Sequence, residues 1–156
     1  MVIFFIVAFI SAISFSVLLN VPKNQYLYCG ISGTICHIVN KLVLSQGYSD
    51  VMASFFATLV LTFVCRFLAI ARKMPITIFL ISGIFPLVPG AGIYYTAYYF
   101  INNQNILALE EGLETVKIAI GISLGILFVL SLPQWFFDKM VLKKNPKSKK
   151  EISNEN

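Results

Sequence analysis

The chain has 156 residues, of which 58% are hydrophobic and only 12% charged, with a mean hydropathy of +0.81. A water-soluble domain carries about 45–50% apolar and about 25% charged residues, so the polar surface here is too small to cover a soluble particle. The net charge of +5 is accounted for by membrane threading, and nucleic-acid binding is not indicated.

A bilayer-spanning helix needs roughly 20 mostly apolar residues, and five windows qualify: 1–20, 26–45, 51–71, 76–101 and 115–137. The expected fold class is therefore all-α: a polytopic membrane bundle of five transmembrane helices over 1–138, followed by a basic, disordered cytoplasmic tail over 139–156. The first window, MVIFFIVAFISAISFSVLLN, lacks a basic n-region and is longer than a signal-peptide core. It reads as a retained span.

The second window, YLYCGISGTICHIVNKLVLS, is the most polar. His37 lies near its centre, and Lys41 sits four residues later on the same face. Ionisable groups at membrane depth are expensive, and a histidine changes charge in the physiological range, so His37 is a candidate proton relay. The alternative is a neutral ring hydrogen-bonded to a neighbouring span. Cys29, Cys36 and Cys65 all fall within spans; their odd number, with a single histidine, argues for packing rather than disulfides or a metal site.

In the third window Thr58, Thr62 and Arg66 repeat every four residues as one polar stripe. Arg66 lies about five residues from the span end, close enough for its head to snorkel to the interface. A guanidinium inside a bundle is also suited to a carboxylate, which makes Arg66 a candidate substrate ligand.

The fourth window holds FPLVPGAGIYYTAYYF at its middle. Pro86 and Pro89 lack the amide hydrogen a helix uses, which frees the carbonyls of Ser82 and Phe85. Irregular backbone at membrane depth survives where protein buries it or where it lines a wet cavity. A helix broken halfway is the layout of a secondary-transporter binding site. Its second half is expected to start around Gly90 to Gly92, with a positive dipole end facing an anion. Pro86, Pro89, Gly90, Gly92 and Tyr94 are thus candidate substrate-binding residues. The other reading is a kinked helix that packs and binds nothing. The remaining tyrosines of this half, Tyr95, Tyr98 and Tyr99, fit an interfacial aromatic belt.

The run ARKMPITIFLISGIFPLVPGAGIYY resembles the core of the threonine/serine exporter family, specifically its small five-span subunits. Ala71, Arg72 and Pro75 match the family's basic, proline-ended turn, and Pro86, Leu87, Val88, Pro89 and Gly90 match its PLVPG-type motif. The resemblance implies export of threonine, serine or related small amino or carboxylic acids, driven by the proton gradient across a bacterial cytoplasmic (inner) membrane. It also implies a second membrane subunit as partner, bearing a further soluble domain. Some two-part members are associated with dicarboxylates such as succinate. An assembly subunit that binds no substrate is a further alternative.

The fifth window carries Gly121 and Gly125, a GxxxG pair that favours close helix contact. Glu110, Glu111 and Glu114 precede it, as a short amphipathic lead-in helix. Trp135, Phe136 and Phe137 close it as an interfacial anchor. Nine of the twelve basic residues fall in the first connection, the third connection and the tail, three regions that five spans put on one face. The positive-inside rule assigns that face to the cytoplasm, with the N-terminus outside. No Asp or Glu occupies a span core, so proton coupling falls to His37 or to the partner subunit, and the partner is favoured. With no nucleophile–base pair, metal-ligand cluster or phosphate loop and a single histidine, the reading is not an enzyme, and no cofactor or metal is expected.

Overall fold

A computed structural model describes residues 2–133. The secondary structure over those residues is helical throughout: α1 (Val2–Leu18), α2 (Tyr26–Ser45) with a 3₁₀ lead-in at Lys23–Gln25, α3 (Asp50–Arg72), α4 (Ile76–Ile84), a 3₁₀ turn at Phe85–Leu87, α5 (Gly90–Ile101) and α6 (Asn105–Leu130). In hydrocarbon every backbone amide must be satisfied within its own segment, which these apolar runs achieve only as helices.

Lys23–Ser45, Asp50–Arg72 and Asn105–Leu130 are long and apolar enough to cross a membrane, and α4 with α5 makes a bent pair that passes as a fourth span. The first window forms a shorter helix of 17 residues, about 25 Å at helical rise, the low end of spanning length. In the last window the helix starts at Asn105, ten residues before the expected span. The acidic lead-in is continuous with the span because nothing between Glu110 and Lys117 breaks a helix. The aromatic anchor 135–137 and the tail lie outside the described residues.

Boundaries follow local chemistry. Ser49 caps α3, its hydroxyl accepting from the Met52 amide at 3.4 Å, and Asp50 adds a favourable charge to the first turn. At the other end Lys73 takes a left-handed conformation (φ 52°), and the Met74 amide donates back to the Ala69 carbonyl at 3.0 Å. That closes the helix, and Pro75 prevents its continuation.

The core sits between α2, α3 and α4, where Cys29, Cys36, Leu61, Cys65 and Phe79 are all essentially inaccessible. Small residues let these helices approach closely. A methyl group added to Gly33 of α2 would lie 2.7 Å from the Ala12 Cβ of α1 and 3.6 Å from the Gly83 Cα of α4. On α1 the buried face is Ala8, Ala12 and Ser16, spaced by four. α6 packs along α3, and α5 packs along the first part of α6.

The three cysteines are free and buried, as expected for packing residues. A permeant maleimide should therefore leave all three unmodified in the folded protein and label all three in SDS. Rapid native labelling of any one would contradict this packing.

Contacts at one end of the bundle join three separate segments. Arg72 Nε donates to Gln25 Oε1 at 3.2 Å, and the guanidinium lies 4.4 Å over the Tyr28 ring. Arg66 Nη1 donates to the Val129 carbonyl at 2.8 Å and the Leu130 carbonyl at 3.2 Å. The first connection and the end of α6 therefore both lie against the last turns of α3.

Candidate functional site

The fourth span is broken where its sequence says it should be, and the two prolines act differently. Pro86 enters a 3₁₀ turn without leaving helical backbone: Phe85 before it has φ −52° and ψ −42°. Pro89 is the residue that ends the run. A residue before proline is pushed out of the helical region, and Val88 has φ −58° and ψ 129°. The chain then re-enters a helix at Gly90, with α4 and α5 inclined by 51°.

The freed Phe85 carbonyl accepts from the Val88 amide at 3.2 Å, and the Val88 carbonyl accepts from the Gly90 amide at 2.7 Å. The Ile93 amide returns to the Pro89 carbonyl at 3.1 Å. Between them, the amides of Ala91 and Gly92 are the pair that a helix start leaves without an intrahelical acceptor. The break is anchored on its inner side by buried Leu87 and by Phe85, whose ring stacks on Phe15 of α1 at 3.6 Å between centroids.

The candidate residues divide around this point. Gly90 is exposed, and a methyl group built on it meets nothing within 4 Å. Pro86 and Pro89 are half-buried beside it. Gly92, two residues on, faces the other way: a methyl there would strike the Thr115 hydroxyl of α6. Tyr94 is 61% exposed and stacks with Tyr98 along the outside of α5. Arg66 is separate from the break, on the last carbonyls of α6. The GxxxG pair faces α3: built methyls on Gly121 and Gly125 would fall 2.9 Å from the Val51 carbonyl and 2.7 Å from the Phe55 carbonyl. Thr58 meets Gly125 there, so the polar stripe of α3 is its seam with α6.

Most interior polarity is satisfied within single helices. The hydroxyls of Ser16, Thr58, Thr62 and Ser82 donate to carbonyls four residues back, at 2.7–2.9 Å, and that of Ser32 to the carbonyl three back at 2.9 Å. His37 differs. Its Nε2 is the one buried side-chain nitrogen or oxygen without a hydrogen-bond partner among the described residues.

A family profile described as "Threonine/Serine exporter, ThrE" matches residues 4–132. The chain belongs to the threonine/serine exporter family. An uncharacterized protein of Haemophilus influenzae (strain Rd) is 30% identical over 134 residues, covering 83% of this chain and 45% of that protein. The chain thus spans about half the length of that curated relative. No solved structure gives a significant match.

Threonine/serine exporters are transporters and not enzymes, so the chemistry to be explained is recognition and passage. Sequence reasoning missed three features: the Phe15–Phe85 stack, the Gly33–Gly83 crossing and the capping of α6 by Arg66. The small residues Ser32 and Gly33 on α2 and Ser82 and Gly83 on α4 carried a readable signal for the crossing. The other two join segments 70 and 63 residues apart, and no local pattern marks such pairs.

Proposed function

We propose that the chain is a subunit of a proton-driven exporter for small amino acids such as threonine and serine. In this reading the broken fourth span is its substrate element. The observation that carries it is the open space in front of Gly90, at the positive end of a helix resuming inside an apolar span. A substrate carboxylate would accept from the Ala91 and Gly92 amides there, while Pro86 and Pro89 hold the break open. Tyr94, one turn on, would offer its hydroxyl. Arg66 would attract the carboxylate at the cytoplasmic end, and His37 would carry the coupled proton.

The partner in this reading is a second five-span subunit. The chain spans only 45% of its Haemophilus relative, and α5 and α6 expose Ile93, Phe100, Leu109, Leu113 and Val116. A second half threaded oppositely would meet that apolar surface and supply the inverted symmetry of alternating access. The shared basic face would lie in the cytoplasm, with the N-terminus outside.

Efflux from preloaded cells tests the proposal, comparing labelled threonine, serine and succinate with and without a candidate partner chain. Threonine or serine efflux that needs both chains is expected. Pro89→Ala should lower it in an assembled complex, and His37→Gln should remove its dependence on the proton gradient. Efflux of succinate alone would reassign the substrate to dicarboxylates. No efflux of any of the three from a stable complex would leave an assembly role and sink the transport reading.

A further inference from the structure

The glycine pair of α6 fixes how that helix lies on α3. A methyl on Gly121 would meet the Val51 carbonyl and one on Gly125 the Phe55 carbonyl, so the two helices run parallel and Gly121 sits beside the first turn of α3. The residues from Asn105 to Ile120 therefore run on past the start of α3, about 24 Å of helix at helical rise. α5 packs along this extension, yet none of its residues is buried.

The extension suits neither water nor hydrocarbon. Ile106, Leu109, Leu113, Val116 and Ile120 form one stripe along it, spaced by three and four residues, and each is 51–77% exposed. Glu110, Glu111, Glu114 and Lys117 are the charged residues of α6, and all four lie in the same stretch. Lipid would cover the stripe but not accommodate four charges at depth. Water would hydrate the charges but leave the stripe bare. Because the stretch continues unbroken into the span, it cannot lie flat in the headgroup layer and separate the two.

A protein helix covers such a surface. Alternation of three and four is the spacing of a helix-pairing seam, and Glu110 and Lys117, seven residues apart, flank it. Beside the stripe a groove of about 880 Å³ runs between α5 and α6, walled by Ile93, Ala97 and Phe100 on one side and Leu109, Gly112 and Val116 on the other. The Thr96 and Thr115 hydroxyls that also line it donate to the Gly92 and Glu111 carbonyls, each at 2.7 Å. The groove thus offers apolar contact rather than hydrogen bonds to a small polar ligand.

We propose that one apolar helix of the second membrane subunit lies in this groove, antiparallel to α6, against the stripe of Leu109, Leu113 and Val116. The proposal rests on the reading above that the partner is an oppositely threaded second half, whose counterpart of α6 runs the other way. The Haemophilus relative keeps more than half of its length outside the match, chain enough to supply such a helix.

Maleimide labelling of Leu113→Cys and Tyr98→Cys tests it, with the full chain in phosphatidylcholine vesicles, alone or with the candidate partner chain of the efflux assay. The native cysteines are buried, so the signal comes from the introduced thiol. Leu113→Cys is expected to label at least roughly fivefold more slowly when the partner is present. Tyr98→Cys, exposed but outside the groove lining, should change little. Leu113→Arg should cut recovery of the partner with the chain about tenfold and leave thermal unfolding of the chain alone unchanged. Equal labelling of Leu113→Cys alone and in an assembled complex would overturn the proposal. Slow labelling of the chain alone would also overturn it, making lipid or a second copy the cover, and a disulfide between two Leu113→Cys chains would identify the copy. Export by the chain alone, with Leu113→Cys open, would overturn both this proposal and the two-subunit reading. Neither readout needs transport, so a protected Leu113→Cys in a complex without efflux would sink the exporter reading and support this one.

Discussion

Replacing Gly90 by leucine should cut export at least tenfold while leaving the unfolding temperature and the assembly of the chain unchanged. The position permits this separation of function from folding. Gly90 is exposed, a Cβ there meets nothing within 4 Å, and the backbone is not among the positive-φ positions, so a first side-chain carbon neither collides nor strains the chain. Alanine or leucine also favours a helix start over glycine by up to about 1 kcal/mol. Any loss must then come from something that approaches the start of α5 during transport. A tenfold loss corresponds to about 1.4 kcal/mol, a modest penalty for one branched side chain standing between a carboxylate and two amides. Gly90→Ala should give a smaller loss of the same kind. Wild-type efflux in Gly90→Leu would make the break a packing kink, whatever the substrate.

Gly125 should behave in the opposite way. Alanine at this position is expected to destabilise the protein by about 1–3 kcal/mol, the usual cost of forcing an extra methyl into a filled interface. The added carbon would strike the Thr58 hydroxyl and lie 2.7 Å from the Phe55 carbonyl and 3.2 Å from the Leu59 amide. Two of these three neighbours are backbone of α3 and cannot rotate away. Thr58 is also committed, its hydroxyl donating to the Ser54 carbonyl at 2.8 Å. The helices must therefore separate, and α6 carries α5 with it. Thermal unfolding of the purified chain reads the effect directly. An unchanged midpoint in Gly125→Ala would mean that α3 and α6 do not meet there. The pair Gly90 and Gly125 thus divides the glycines of this chain by role. One faces open space, and the other lets two helices touch.

Much of the fold was legible because hydrocarbon allows few alternatives. An apolar run of about 20 residues has to become a helix, so the second, third and fourth windows agree with their helices to within one residue at each end. The last window did not. Glu110, Glu111 and Glu114 lowered its hydropathy, yet charge on an exposed helix face does not stop a helix, and α6 ran on from Asn105. Hydropathy reports where a segment is apolar, whereas helix ends are set by caps and breakers. The site was legible only as a position on the chain. Pro86 and Pro89 together announced the break, but which of them ends the helix, and how Gly90 and Gly92 differ, were not readable in sequence. Their difference arises because α6 passes behind one of them.

By itself the sequence determined that this is a helical membrane protein whose fourth apolar window is interrupted around Pro86 and Pro89. Its charge pattern also set the expectation that the basic connections share one face. Those properties follow from composition and from proline's missing amide hydrogen, which act wherever the residues happen to pack. Only the tertiary structure decided which glycine is open, that Arg66 caps α6, that Phe85 rests on Phe15, and that the first part of α6 runs on past the start of α3. Each of these depends on segments distant in sequence meeting at a particular rotation and depth. Helix contact in a membrane is set by shape rather than by hydrophobicity.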